Sequence, residues 1–272
     1  MKAMPEPRDD IAGAQRGEAR MPVLFVGHGS PMNAIVDSAF SRSLSLLPGT
    51  LPVPRAIVVV SAHWLTRGTR VTSTQLNTQL FDFAGFPPEL SQIKYTPHGD
   101  IALAERICEL LTPQAVPDTF RPLDHGCWTV LSRMYPEAVI PVLQLSIDAK
   151  ADAAALVLLA AKLRPLRDRG ILILASGNIV HALGSLNQDP AGPVPVWVRE
   201  FDFAVAQALE LADSSSLCEW ERFPFSERAV PEPSHYLPLL YAVGLRLPSD
   251  ALTWIHTGFE HGSVSLRSFM LG

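Results

Sequence analysis

The sequence predicts a single α/β domain with a largely parallel, mixed central sheet and helices on both of its faces. Short apolar runs rich in β-branched residues alternate with stretches that have helical spacing, a pattern typical of parallel strands joined by crossover helices. With 272 residues, of which 47% are hydrophobic, the chain is also long enough to bury one large core. No internal repeat or domain boundary is visible in residues 21–272, so we expect one domain over that range.

The strands are predicted from apolar runs that stop at turn residues. The first run begins at Val23 and stops at Gly27, where a Gly-His-Gly-Ser-Pro turn begins. In chain order, the predicted strands are 23–27, 57–62, 70–74, 139–147, 171–175, 252–257 and 264–270, the last of them at an edge of the sheet. We expect the terminal strands to run antiparallel, which is what makes the predicted sheet mixed.

The helices are predicted from helical spacing together with capping and stop signals. Asp100 and Ser234 are expected N-caps, whereas Pro48-Gly49 and Gly170 are stop signals. Four predicted helices cover 33–47, 100–111, 151–167 and 196–211. A fifth follows the polar turn 121–128 and ends near Tyr135, and a sixth begins at 234. The remaining long stretch, 64–100, is rich in aromatic residues, prolines and glycines, and favours an ordered loop. Such a loop is either a pocket wall or lid, or a satellite hydrophobic cluster.

Composition excludes several classes of function. The net charge is −5 and no basic cluster is present, which argues against nucleic-acid binding. No apolar run reaches the roughly 18 residues that a membrane span needs. The three cysteines form no paired motif, which favours a reducing compartment and a cytoplasmic location. Residues 1–20 combine both charge signs with proline and lack the apolar region of a secretory signal, so we expect a flexible N-terminal extension.

Histidines follow the ends of three predicted strands. His28 and His63 come directly after strands, His181 lies one turn after a third, and His235 stands at a predicted helix start. A single histidine in an apolar context is more often a hydrogen-bonded structural residue than a ligand. Parallel strands end at one edge of a sheet, however, where α/β proteins place ligands. Several imidazoles without cysteine therefore indicate an open site for Fe(II), Zn(II) or Cu(II).

The histidines lie within or beside six motifs that follow one another along the chain. These are Gly27-His28-Gly29-Ser30-Pro31-Met32, Val59-Val60-Ser61-Ala62-His63-Trp64, Asp124-His125-Gly126-Cys127-Trp128, Gln144-Leu145-Ser146-Ile147-Asp148, Ala175-Ser176-Gly177-Asn178-Ile179-Val180-His181 and Ser234-His235-Tyr236-Leu237-Pro238-Leu239-Leu240-Tyr241. Together and in this order, they resemble the motifs of the class III extradiol ring-cleaving dioxygenases, and within that family those of the 4,5-DOPA dioxygenase branch, over residues 21–272.

The resemblance implies a non-haem Fe(II) enzyme that cleaves a DOPA-like catechol with O2 to a semialdehyde. It implies His28, His63 and His235 as metal ligands, His181 as a fourth ligand or the acid/base, and His125 as a histidine that faces the substrate or supports the site. Zinc is a further candidate ion, because it outcompetes ferrous iron at similar ligands. Two alternatives stay open: a zinc-dependent hydrolase on the same frame, and a non-catalytic metal-binding relative.

Further residues near the motifs are candidates for supporting roles. Ser30, Trp64 and Asn178 are expected to contact substrate, although turn or cap roles explain the two polar ones equally well. Asp148 is a candidate partner for a ligand histidine, and Glu232 a candidate carboxylate ligand or a solvated helix-start residue. The oligomeric state stays open, with a homodimer as one option.

Overall fold

The computed structural model describes residues 20–272, so the predicted extension lies outside the described residues except for Arg20. The Arg20 guanidinium donates a hydrogen bond to the carboxylate of Asp168. Within residues 20–272, none of the helices combines the length and the apolar character that crossing a membrane requires.

An eight-stranded mixed sheet forms the centre of the molecule, as predicted. Its spatial order is β4-β3-β5-β2-β6-β1-β10-β7, and a separate two-stranded sheet pairs β8 with β9. The strands are β1 (Val23–Gly27), β2 (Ala56–Thr66), β3 (Thr69–Thr72), β4 (Ala115–Asp118), β5 (Val142–Asp148), β6 (Ile171–Gly177), β7 (Leu252–His256), β8 (Phe259–Glu260), β9 (Val264–Ser265) and β10 (Ser268–Leu271). The four central strands β5, β2, β6 and β1 are mutually parallel, whereas β10 is antiparallel to both of its neighbours.

Helices cover both faces of the sheet, because side chains alternate between the faces along each buried strand. In β1, Val23 and Phe25 join one core cluster, and Leu24 and Val26 join the other. The first cluster packs under α2, α4, α5 and α8, and the second under α1 and α3. The helices are α1 (Ala39–Leu46), α2 (Ile101–Leu110), α3 (His125–Met134), α4 (Ala153–Ala161), α5 (Val196–Glu210), α6 (Ser214–Cys218), α7 (Ser226–Ala229) and α8 (Leu237–Leu245).

Two local predictions are wrong. The segment 264–270 is not an edge strand: β9 pairs with β8, and β10 lies between β1 and β7, where Phe269 and Leu271 are fully buried. Ser234 does not cap the last helix, because 233–235 form a 3-10 turn and α8 begins at Leu237 without a side-chain cap.

Two predicted helices are divided. The segment 33–47 becomes a 3-10 turn over 31–34 followed by α1, for which the Ser38 side chain forms the N-cap. The segment 151–167 becomes α4 and a 3-10 helix over 164–169, which has Pro165 at its start. Proline lacks the N–H that a continuing α-helix would use, which accounts for the second break. Gly170 ends this region with a φ of 73°, in the left-handed conformation that suits glycine.

Candidate metal centre

The carboxyl ends of β1, β2 and β6 lie side by side, and this arrangement positions the first two histidines. His28 directly follows β1, and its backbone N–H donates to the carbonyl of Gly177 at the end of β6, at 3.0 Å. His63 lies within β2, which is longer than predicted and shifts register against β5 between Val60 and Leu65. Such an irregularity re-aims side chains at a sheet edge.

The structure brings together all five histidines of the motifs. The Nε2 atoms of His28 and His63 are 3.2 Å apart, and the ring centroids of His63 and His125 are 3.9 Å apart. The His235 ring centroid lies 5.3 Å from that of His28 and 4.9 Å from that of His63. His181 stacks on His235, with centroids 3.5 Å apart and an interplanar angle of 7°. The other three histidines, His98, His256 and His261, belong to none of these contacts.

Among the described residues, His28, His63 and His125 form a set of ring nitrogens that lie within 4.8 Å of one another, close enough to share a metal ion. The resemblance implies His235, and not His125, beside the first two. His235 is buried, 8% exposed, and contacts both of them, so the cluster offers two candidates for the third position.

A buried serine decides which nitrogen of His28 faces the centre. The Ser176 hydroxyl donates its hydrogen to the Gly126 carbonyl at 2.6 Å. Because a hydroxyl has one hydrogen, Ser176 Oγ must accept the hydrogen of His28 Nδ1, which lies 3.0 Å away. His28 therefore carries its lone pair on Nε2, the atom that faces His63. Ser176 stands in one of the six motifs, but nothing in the sequence indicates this role.

A carboxylate that the sequence analysis missed lies against His125. Oδ1 of Asp82 accepts hydrogen bonds from the His125 ring Nδ1 at 2.8 Å and from its backbone N–H at 3.1 Å. Burial raises the pKa of the Asp82 carboxyl, but the hydrogen bonds and charge of His125 outweigh it and lower the pKa to about 2. The available signal was a lone acidic residue between two phenylalanines, Phe81 and Phe83, in the aromatic loop.

Burial and mutual repulsion favour the neutral form of four of the clustered imidazoles. Burial, followed by repulsion from His125, lowers the pKa of His63 to about 4. Burial, followed by repulsion from His63 and His125, lowers the pKa of His181 to about 4. The pKa values of His28 and His235 also fall well below the ordinary range, in both cases chiefly because of burial. Neutral imidazole is the form that binds metal ions, so the cluster suits a cation at neutral pH.

Buried polar contacts fix the backbone around the cluster. The fully buried Asp124 carboxylate accepts from Ser61 Oγ at 2.7 Å, from Gln144 Nε2 at 2.7 Å and from Arg121 Nη2 at 3.1 Å. Asp124 also caps α3 through the Cys127 N–H, which sets His125 as the first residue of that helix. These contacts pre-organise the site from strands β2 and β5 and from α3.

Glycine is required where β6 passes the His235 segment. A Cβ placed on Gly177 would lie 2.3 Å from the His235 carbonyl oxygen. The next residue, Asn178, donates its backbone N–H to that same oxygen at 2.8 Å. The end of β6 therefore sets the position of His235.

The aromatic loop lies against the histidines. The Phe83 ring meets His125 edge-on, with centroids 5.6 Å apart, and also packs near Trp128. The Trp128 indole N–H donates to the Leu80 carbonyl at 2.9 Å, which ties the loop to α3. The expected hydrophobic cluster is present, because Phe83 packs against the core cluster under α1 and α3. The role of the loop as a pocket wall stays a prediction.

The three predicted substrate contacts have defined surroundings. Ser30 caps the turn after β1 by accepting from the Met32 N–H, and its own N–H donates to Glu260 at 2.8 Å. Trp64 is buried, with the Arg121 guanidinium 5.4 Å from its ring. Asn178 is 1% exposed, and its Oδ1 finds no hydrogen-bond partner within residues 20–272. These substrate roles stay predictions.

Of the two other carboxylates considered, Asp148 accepts from the Lys150 N–H in the turn after β5, and Glu232 is exposed. Of these three carboxylates, Asp82 is the one that accepts a hydrogen bond from a histidine of the cluster, His125.

Comparison with known proteins finds similar chains over most of the sequence. Residues 46–267 match the family model described as the catalytic LigB subunit of aromatic ring-opening dioxygenase. The chain is 42% identical to the "4,5-DOPA dioxygenase extradiol" of Escherichia coli strain K12, over 93% of this chain and 95% of that protein. It is 36% identical to the protein of the same name from Beta vulgaris, over 90% and 94% of the two chains. The crystal structure of the uncharacterized protein JW3007 from Escherichia coli K12 matches with a TM-score of 0.81 and 40% identity, over 93% of this chain and all of that one (100%).

Proposed function

This chain belongs to the family of the catalytic LigB subunit of aromatic ring-opening dioxygenases, and from that premise we propose that it is a metal-dependent extradiol enzyme for a catechol. The substrate is a catechol with a DOPA-like side chain, the co-substrate is O2, and the product is a semialdehyde. The observation that carries the proposal is the convergence of five histidines at one edge of the parallel sheet.

The donor set fits a divalent transition metal. His28, His63 and His235 are the proposed ligands, because they offer imidazole without thiolate and come from three separate segments of the chain. The proposed ion is Fe(II) for activity, with Zn(II) as an ion that the same ligands accept. The metal, when bound, supplies the oxygen chemistry, and the protein binds and orients the substrate.

The stacking of His181 on His235 supports His181 as the acid/base. A ring-nitrogen lone pair lies in the plane of its imidazole, and these two planes are nearly parallel at a centroid distance of 3.5 Å. The lone pairs of the two rings therefore lie in separate, nearly parallel planes, so an ion that His235 would hold could not also be bound by His181. With His235 as ligand, His181 keeps its lone pair for a proton of the catechol, as general base catalysis requires.

The choice between His235 and His125 as third ligand has a direct test. We expect His235→Gln to lose metal affinity by at least about 100-fold, and His125→Gln to retain the metal while losing turnover. Chelator competition with Zn(II) measures the first property and oxygen uptake with Fe(II) the second. Loss of metal in His125→Gln, with retention in His235→Gln, would assign the third position to His125 instead.

The proposed function is tested by anaerobic reconstitution of metal-free protein with Fe(II) or Zn(II). DOPA and other catechols are then added with air, while a yellow semialdehyde chromophore and oxygen consumption are followed. We expect colour with iron only, with one O2 consumed for each ring that opens. The matched control is His63→Ala, which should lose metal and turnover together.

Two other outcomes have definite meanings. Ester or amide hydrolysis by the zinc form, with no oxygen uptake by the iron form, would favour a zinc-dependent hydrolase. Neither activity, with metal bound, would favour a metal-binding relative that does not catalyse a reaction.

We also propose that residues 21–272 form the catalytic domain. The start of this range is tied to the rest of the domain, because Arg20, the residue just before it, donates a hydrogen bond to Asp168.

For the location of the protein we propose the cytoplasm. The three cysteines of the chain are free thiols, which supports a reducing compartment.

A further inference from the structure

We propose that Asp82 is a positioning residue of the reaction: its carboxylate holds His125 in the tautomer that carries hydrogen on Nδ1, so that Nε2 accepts a hydrogen bond from a catechol hydroxyl. This inference rests on the proposed function for the identity of the substrate. The orientation of His125 is a property of the protein itself and has its own test.

The contacts between the two residues fix both the position and the tautomer of the ring. One oxygen of Asp82 receives the His125 backbone N–H at 3.1 Å and the ring Nδ1 at 2.8 Å. An ionised carboxylate only accepts hydrogen bonds, so a hydrogen must lie on Nδ1 of His125. In the tautomer with that hydrogen alone, the lone pair is on Nε2. A ring nitrogen of His125 lies within 4.8 Å of ring nitrogens of His28 and His63.

The loop around Asp82 is anchored on the helix that carries His125. The Leu80 backbone N–H donates to the Leu123 carbonyl, and the Leu123 N–H donates to the Thr78 carbonyl, both at 2.8 Å. The Leu80 carbonyl accepts from the Trp128 indole at 2.9 Å. On either side of Asp82, Phe81 and Phe83 pack against Trp128, with ring centroids 5.4 and 6.0 Å away. The Asp82 side chain is 21% exposed, so water competes only in part for its oxygens.

The second carboxylate oxygen gives Asp82 a wider influence on the site. Oδ2 lies 3.8 Å from Nδ1 of His63, which is beyond hydrogen-bond distance but close enough for charge attraction. One negative charge thus faces the Nδ1 atoms of two histidines, His125 and His63, and the Nε2 atom of His63 lies 3.2 Å from that of His28. Outer carboxylates of this kind orient imidazoles and make them more basic.

The test compares Asp82→Asn with Glu89→Gln, a control that removes an exposed carboxylate from the same loop. The first readout is the tautomer of His125, measured in metal-free protein from long-range ¹⁵N–¹H correlations. The His125 signal is identified by its absence in His125→Gln. We expect hydrogen on Nδ1 in the parent protein and in Glu89→Gln, and a shift of the population toward Nε2–H in Asp82→Asn.

The second readout is kinetic and uses the iron-loaded enzyme with DOPA. Losing a hydrogen bond to a charged group should lower kcat/KM by about 10- to 100-fold in Asp82→Asn, while zinc affinity stays within about threefold. Glu89→Gln should match the parent, and Asp82→Glu should recover part of the loss.

An unchanged tautomer in Asp82→Asn together with kcat/KM within twofold of the parent would overturn the proposal. If Asp82→Asn does not fold, Asp82→Glu takes its place. A smaller population of the Nδ1–H tautomer and a lower kcat/KM than in Glu89→Gln would support the inference, whereas equal values would refute it. If the parent enzyme opens no catechol, the proposed function fails, while the tautomer readout still decides the role of Asp82.

Discussion

Replacing Ser176 by alanine should weaken metal binding without unfolding the protein. The substitution removes the oxygen that accepts from His28 Nδ1 at 3.0 Å, and His28 is 2% exposed, so water cannot easily replace that oxygen. A buried donor left without a partner costs about 1–3 kcal/mol. Because 1.4 kcal/mol corresponds to a factor of ten, metal affinity should fall by about 10- to 100-fold. The imidazole also gains freedom to adopt the tautomer with hydrogen on Nε2, which cannot bind the ion.

Competition with a chromophoric chelator for Zn(II) measures the affinity of the parent and of two variants. The matched control is Ser146→Ala, which removes another fully buried serine hydroxyl, from β5, where it accepts from the Arg70 N–H at 2.7 Å. Both variants should lose some thermal stability, but only Ser176→Ala should lose affinity. Equal zinc affinity in all three proteins would refute the assignment of Nε2 as the metal-binding atom of His28.

Three further predictions concern the frame around the site. Gly177→Ala should displace the segment that carries His235, because the new Cβ would lie 2.3 Å from the His235 carbonyl oxygen. We therefore expect a loss of metal affinity in chelator competition. An unchanged affinity would contradict the close packing of Gly177 against His235. The metal-free protein should lose thermal stability as the pH falls from 6.5 toward 4. The pKa values of two site histidines are lowered from 6.5 to about 4, so in that window the unfolded chain binds more protons than the folded one. The decline should be shallower in His181→Gln, and an equal slope would count against this origin. Arg167→Ala should lower the free energy of unfolding, measured in urea, by about 3–5 kcal/mol. The reason is that the buried Asp250 carboxylate loses the guanidinium that donates to its two oxygens at 2.6 and 3.0 Å. A loss below about 1 kcal/mol would be inconsistent with this pairing.

The sequence predicts the fold and the meeting of the histidines because both depend on local patterns. Apolar runs stop at His28 and near His63, and parallel strands necessarily end at one edge. The same logic fails for β10, since its short apolar run looks the same at an edge and in the interior. Only the pairing of β10 with both β1 and β7 distinguishes the two positions.

The supporting contacts could not be predicted because they join distant parts of the chain. Asp82 and His125 are 43 residues apart, and Ser176 is 148 residues from His28. Neither contact leaves a periodic signal in the sequence. Asp82 lies in a loop without regular spacing, where its two phenylalanine neighbours indicate a packed surface but do not identify what it packs against.

The position of the carboxylate has a consequence for the ligand that the site prefers. With imidazole ligands alone, a bound divalent ion keeps its full double charge. Among residues 20–272, the carboxylate that hydrogen-bonds a histidine of the cluster is that of Asp82, behind His125, and the nearby Asp124 is paired with Arg121. With a divalent ion bound, the centre would keep a positive field that attracts the proposed anionic catecholate, while the Asp82 charge acts on the Nδ1 atoms of His125 and His63. If a carboxylate bound the metal directly, it would remove part of that attraction, so the placement of Asp82 favours binding of the anion over neutralisation of the ion.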